Sequence, residues 1–189
     1  MLALELDLAE VIVQAQGGDQ AAFAAIYDHF AEPLFHFLLV RCHDAGVAEE
    51  LTGDLWMRVV ERLPAFRCPR DNPRTAFTAW LYQIARNLAI DAYRRRCITQ
   101  VPLAETIPSR EAPLDEYVIG GEDQQDLCAA LAKLTPEQRE VLFLRFMERR
   151  STAEVAVMTG RSEGAVKVMQ HRALEAAARL LGVNRRKAG

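Results

Sequence analysis

Apolar residues in this chain recur every three or four positions almost throughout, and no β-branched stretch alternates with polar residues as a strand would. Phe23, Ile26, Tyr27, Phe30, Leu34, Phe37 and Leu38 keep that spacing in one run. Leu51, Leu55, Val59 and Leu63 stand four apart in the next, which Pro64 closes. Phe77, Trp80, Leu81, Ile84 and Leu88 carry a third stripe through residues 75–96. Each set fills one side of a helix, so the chain is expected to be all-α. Pro33 marks a kink or a boundary in the first run, and "FRCPRDNPRTA", residues 66–76, reads as a loop.

The periodicity fails once over a long stretch. Residues 99–121, "TQVPLAETIPSREAPLDEYVIGG", hold three prolines, a Gly-Gly pair and an acidic excess. Such a segment buries little and reads as a linker. The expected architecture is therefore two small helical domains, 1–98 and 122–189, joined by a Pro-rich acidic linker. In the second domain "DLCAALAKL" is helical. "TPEQ" starts another helix, with Thr135 as N-cap, Pro136 at the first helical position and Gln138 closing a capping box. "STAE" repeats the signal with Ser151 and Glu154. A turn at Gly160 and a new N-cap at Ser162 follow. A short helix over 151–159, a glycine turn and a longer helix over 162–181 make a helix-turn-helix, packed through Val155, Ala156, Val166 and Met169.

Bulk composition narrows the function. Half the residues are hydrophobic and 26% are charged, ordinary for a globular protein. No apolar run approaches the roughly 18 residues of a membrane span. The first residues, "MLALELDLAEVIVQAQ", carry acidic groups instead of a basic leader and read as a short amphipathic helix, so a cytoplasmic chain without membrane insertion is expected. Cys42, Cys68, Cys97 and Cys128 are too far apart in sequence for a CxxC pair and read as free thiols. His29, His36 and His43 recur every seven residues, about 10 Å of helix rise, which is too far for one ion to join neighbours. No metal or cofactor is expected, and no paired carboxylates or glycine-rich phosphate loop suggest an enzyme.

Charge is more informative. Net charge is −3, yet residues 1–60, 61–100, 101–137 and 138–189 carry −8, +5, −6 and +6. Two basic blocks alternating with two acidic ones suit a protein that meets a polyanion at two separate places. The second basic block contains the helix-turn-helix. Its second helix presents Arg161, Ser162, Glu163, Lys167, His171 and Arg172 near its start, where a recognition helix reaches base edges. The first basic block contains "FTAWLYQIARNLAIDAYRRR". A partly exposed Trp80 or Tyr82 beside Arg74, Arg86 and Asn87 would suit single-stranded DNA, with Asp91 and Asn87 for base edges and Arg94, Arg95 and Arg96 for the backbone. Cations at a helix C-terminus also favour the macrodipole in any protein, so this helix alone leaves both readings open.

The order "AEELTGDLW", a loop, "FTAWLYQIARNLAIDAYRRR", a Pro-rich linker and "LTPEQREVLFLRFMERRSTAEVAVMTGRSEGAVKVMQHRAL" resembles a bacterial RNA polymerase sigma factor of the extracytoplasmic-function type, over about residues 20–182. The resemblance implies a first domain that docks on the β′ clamp helices of core RNA polymerase and opens the minus-ten promoter element. It implies a second domain that meets the β flap and reads the minus-thirty-five element as duplex, and an anti-sigma factor as a further partner. Carried over by position, Glu50, Leu51 and Asp54 fall on the docking helix. Trp80, Arg86, Asn87, Asp91 and Arg94 to Arg96 fall on the minus-ten helix, and Arg161, Ser162, Glu163, Lys167, His171 and Arg172 on the recognition helix. Gly53 stands where the family usually has Gln, the 66–76 loop is longer than usual, and Val168 and Met169 replace a common Ser and Arg. Two other readings compete: a helix-turn-helix regulator without polymerase docking, and a sigma-like decoy that titrates an anti-sigma factor.

Overall fold

The computed structural model describes residues 8–42, 44–69, 71–99, 130–131 and 133–181. Among them every regular element is helical: α1 (Leu8–Gln16), α2 (Gln20–Cys42), α3 (Ala45–Arg62), α4 (Pro73–Thr99), α5 (Pro136–Leu142), α6 (Thr152–Thr159) and α7 (Glu163–Leu180). A 3-10 turn, Leu63–Ala65, follows α3, and a π turn, Phe143–Met147, extends α5. The linker expected over 99–121 lies outside the described residues except for Thr99, as does most of the helix expected at "DLCAALAKL".

Helices α1 to α4 form the N-terminal bundle. Asp19 starts α2 by accepting from the N–H groups of Ala21 (2.8 Å) and Ala22 (3.1 Å). Asp44 starts α3 in the same way through Val47 N–H, at 3.0 Å. Pro33 does not break α2. It removes one hydrogen bond, but the helix runs on because Leu34, Phe37 and Leu38 are fully buried just beyond it. Each such side chain contributes roughly 1.5–3 kcal/mol on leaving water. The loop after α3 is shorter than expected, since α4 begins at Pro73, where proline's missing N–H costs nothing. Gln16 Nε2 ties the start of that loop to α1 by donating to the carbonyls of Leu63 (2.9 Å) and Phe66 (2.6 Å).

The C-terminal helices follow their caps closely. Capping boxes stand at Thr135–Gln138 and Ser151–Glu154, and Ser162 Oγ accepts from Ala165 N–H at 3.2 Å. Gly160 turns the chain between α6 and α7 at φ 66°, a left-handed conformation that costs glycine little. The N-terminal bundle and the helix-turn-helix are not separate bodies here. Phe37, Tyr82 and Leu88 belong to the same buried cluster as Phe143, Leu144, Val155 and Val166. The Phe37 and Phe143 rings meet at 6.0 Å, and α4 lies against α6.

Candidate nucleic-acid interface

Helix α7 presents one side of its N-terminal half to solvent. Arg161, Ser162, Glu163, Lys167, His171 and Arg172 are all exposed. Val166 (fully buried) and Met169 hold the opposite side against α6, where Val155 and Ala156 are buried, so the packing positions match expectation. Arg145 secures the unit by donating to Gln170 Oε1 (3.1 Å) and to the carbonyl of Arg150. A groove between the start of α5 and α7 is lined by Thr135, Glu137, Arg161, Ala165, Met169 and Arg172. His171 faces Glu175 one turn on at 3.3 Å, an ion pair when the imidazole is protonated. A basic, solvated helix start with one fixed register can enter a major groove.

Helix α4 is arranged differently. Asn87, Asp91, Arg94 and Arg95 are exposed, and Tyr93 beside them is 71% exposed. An aromatic face on a basic helix end suits an unpaired base. Tyr93 was not singled out from sequence, because no stripe distinguishes it from a core aromatic. Arg96 lies on the helix among residues whose side chains are not described. Trp80 is half-buried, packed on Phe66 (4.9 Å between centroids) and Phe77 (5.5 Å).

Two expectations need correction. Tyr82 is fully buried, not available for stacking, because the second domain covers that side of α4. Burial, then the nearby Glu148 carboxylate, push its phenol far up. Arg86 is also turned away from solvent. Its Nε donates to Glu140 Oε1 at 2.8 Å, its Nη2 donates to the same oxygen, and Nη2 also donates to the Met158 carbonyl at 2.7 Å. Arg41 Nη1 donates to the other Glu140 oxygen at 2.6 Å. Glu140 was invisible as a partner from sequence, since 99 residues separate it from Arg41 and 54 from Arg86.

On α3, Glu50 and Asp54 are exposed, while Leu51 is 1% exposed and serves the core instead of an outer face. Expected among the docking residues, it has a packing role in this arrangement. The surface beside the acids carries Met57, Val60 and Tyr27, each over two-fifths exposed. A shallow groove runs between α2 and α3, lined by Tyr27, Glu32, Phe35, Glu49, Gly53 and Trp56. A side chain at Gly53 would meet nothing within 4 Å, so glycine here widens the groove and no close approach requires it.

Comparison with known proteins decides the family. A model of Sigma-70 region 2 matches residues 26–97, and one of Sigma-70, region 4 matches residues 124–177. ECF RNA polymerase sigma factor SigX of Bacillus subtilis is 32% identical over 163 residues, covering 82% of this chain and 81% of SigX. The chain belongs to the ECF RNA polymerase sigma factors. Another such sigma factor, BldN of Streptomyces coelicolor, is 33% identical over 176 residues, and the match spans 91% of this chain but 65% of BldN. Two solved structures share the fold of this sigma factor. The sigma factor RpoE from Bartonella quintana, in complex with the anti-sigma factor NepR, has a TM-score of 0.65 at 24% identity, covering 86% of this chain and 98% of RpoE. CnrH, in complex with the cytosolic domain of CnrY, has a TM-score of 0.68 at 23% identity, covering 94% of this chain and 99% of CnrH. Region 2 thus comprises α2 to α4, and region 4 contains the helix-turn-helix of α6 and α7. Among the described residues no helix is long and apolar enough to cross a membrane.

Proposed function

We propose that this chain is an alternative sigma factor that binds core RNA polymerase and directs promoter recognition, melting and initiation, without being an enzyme itself. The observation that carries this reading is the ordered pair of Sigma-70 regions 2 and 4 on one chain, each ending in a basic helix. A regulator using only its helix-turn-helix has no need of the acidic and apolar surface on α3.

In this reading Glu50 and Asp54, with Met57 and Val60 beside them, face the β′ clamp helices, and Leu51 holds α3 in place. Asn87 and Asp91 contact bases of the opened minus-ten strand, Arg94, Arg95 and Arg96 hold its backbone, and Trp80 closes the Phe66 loop beside them. Lys167, His171 and Arg172 approach minus-thirty-five base edges, with Arg161, Ser162 and Glu163 at the helix start, while region 4 sits on the β flap. Arginines fix register on phosphates, and amide or forked donors read bases. The two solved relatives sharing this fold are in complexes with NepR, an anti-sigma factor, and with CnrY. An anti-sigma partner is proposed here too, and a cytoplasmic location follows from work on chromosomal DNA.

A pull-down of core polymerase by the tagged full chain tests the docking half. Retention of β and β′, lost in a Glu50→Lys/Asp54→Lys variant with unchanged circular dichroism, is the expected result. No retention by the wild-type chain would favour the plain helix-turn-helix regulator.

A further inference from the structure

The N-terminal half of α7 exposes one large apolar side chain, Val168, which is 51% exposed. It follows buried Val166 by two residues, about 200° round the helix, and precedes buried Ala177 by about two and a half turns. Val168 therefore points almost directly away from the core. Lys167 and His171 stand on one side of it and Arg172 on the other, all exposed. A helix lying in a major groove brings the middle of its outward face closest to the base edges.

Neither Val168 nor Gly164, one turn before it, is there for the sake of the helix. Glycine and β-branched residues are poorer choices than alanine at an exposed helical position. A Cβ at Gly164 would meet only Ser162 Oγ, at 4.0 Å, so a side chain would fit and none is present. The helix surface ahead of Val168 is thus bare, and a base pair can come close to the valine. Both residues also line the groove between α5 and α7, together with Arg161 and Arg172. Guanidinium groups there can hold phosphates or acceptor edges. Valine can do neither, because it has no donor or acceptor.

The chemistry of the major groove then narrows what Val168 meets. Guanine, adenine and cytosine present only hydrogen-bonding groups there, and thymine alone adds an apolar one, its C5-methyl. A polar base edge against the valine would lose water without gaining a hydrogen bond. Single exposed apolar residues are common, so exposure alone carries little; the place of Val168 among the readers carries the argument. We infer that Val168 is a specificity residue of region 4, packing on the C5-methyl of one thymine, so that the minus-thirty-five element holds an A·T pair facing the middle of α7. The inference rests on the sigma-factor reading and deepens it.

The test uses holoenzyme assembled from core polymerase and the full chain, as wild type, Val168→Ala and Val168→Ser. The probe is a promoter duplex selected by run-off from a library with a randomised minus-thirty-five segment. Each thymine of that segment, on either strand, is replaced singly by uracil, which removes the methyl and keeps every hydrogen-bonding group. Affinity is read by competition against the parent duplex. Wild type should bind about fourfold more weakly at one uracil position, the worth of one buried carbon, and unchanged at the others. Both variants should bind the parent duplex more weakly and lose most of the difference between thymine and uracil at that position. Equal binding of every uracil duplex by wild type overturns the inference, whether or not a variant folds, and leaves the sigma-factor reading intact where scrambling the segment abolishes binding. A uracil effect that persists unchanged in both variants also overturns it, because another side chain then reads the methyl. So does a selected segment made only of G·C pairs. If scrambling the segment leaves binding unchanged, the minus-thirty-five half of the sigma-factor reading fails and the inference falls with it.

Discussion

The two basic helices of this sigma factor carry similar chemistry and opposite availability. The start of α7 is solvated on every candidate reading residue, from Arg161 to Arg172. Helix α4 exposes Asn87, Asp91, Arg94 and Arg95 toward its C-terminal end, while Tyr82 and Arg86 further back are covered by region 4. Region 4 can dock on a duplex as it stands. Region 2 has its acidic α3 face free, but α4 is partly committed to its own chain. Possession of DNA-binding residues and readiness to use them are separate properties, and the second depends on the packing between domains.

The largest effect should come from breaking the shared core. Phe37 is fully buried and meets Tyr82 at 4.9 Å and Phe143 at 6.0 Å, so it belongs to both regions. Phe37→Ala should cost about 3–5 kcal/mol and lower the thermal midpoint by roughly 10 °C in a calorimetric scan. Next comes the open helix. Arg172→Ala and Lys167→Ala, tested in the holoenzyme on promoter duplex, should each cost about 1–3 kcal/mol if the side chain reaches a base. A base contact relaxes specificity at one position, whereas a phosphate contact weakens all sequences alike. The same contrast sharpens the account of α4. Asn87→Ala should change base preference at the melted element, and Arg95→Gln should weaken every promoter by a similar, smaller factor in permanganate footprints of the open complex.

The smallest effect is electrostatic. Burial pushes the Glu154 carboxyl up, but hydrogen bonds from Ser151 and the charges of Arg150 and Arg74 outweigh it and hold the group below its usual 4.5. A depressed carboxyl stabilises the fold above its unfolded pKa and loses that contribution as pH falls through the folded value. Glu154→Gln keeps the capping geometry but not the charge. Its thermal midpoint should lie slightly below wild type at pH 7, and the gap should narrow as pH falls below the usual carboxyl value and through the depressed folded one.

Much of this fold was legible because its signals are local. The capping boxes at Thr135 and Ser151, the left-handed turn at Gly160 and the N-cap at Ser162 depend on residues three or four apart, and they stand where the sequence puts them. The outward set on α7 followed from helix phase alone. On α4 the apolar stripe was correct, but helix phase cannot tell a tyrosine on open surface from one under a second domain. Tyr82, Arg86 and Glu140 were misjudged or missed for that reason. Their environment is set by partners 54 to 99 residues away along the chain, beyond a linker with no periodicity to position it. Leu51 shows the converse, a docking-helix position whose phase pointed to the core all along.

The most direct measurement is run-off transcription with purified core RNA polymerase, this chain and a library of promoter fragments. Specific transcripts that appear only when the chain is added, and that disappear when the minus-ten or minus-thirty-five segment of the selected promoters is scrambled, are the predicted result. A transcript pattern identical to that of core polymerase alone, from a chain that retains its helical content and thermal transition, would contradict the account.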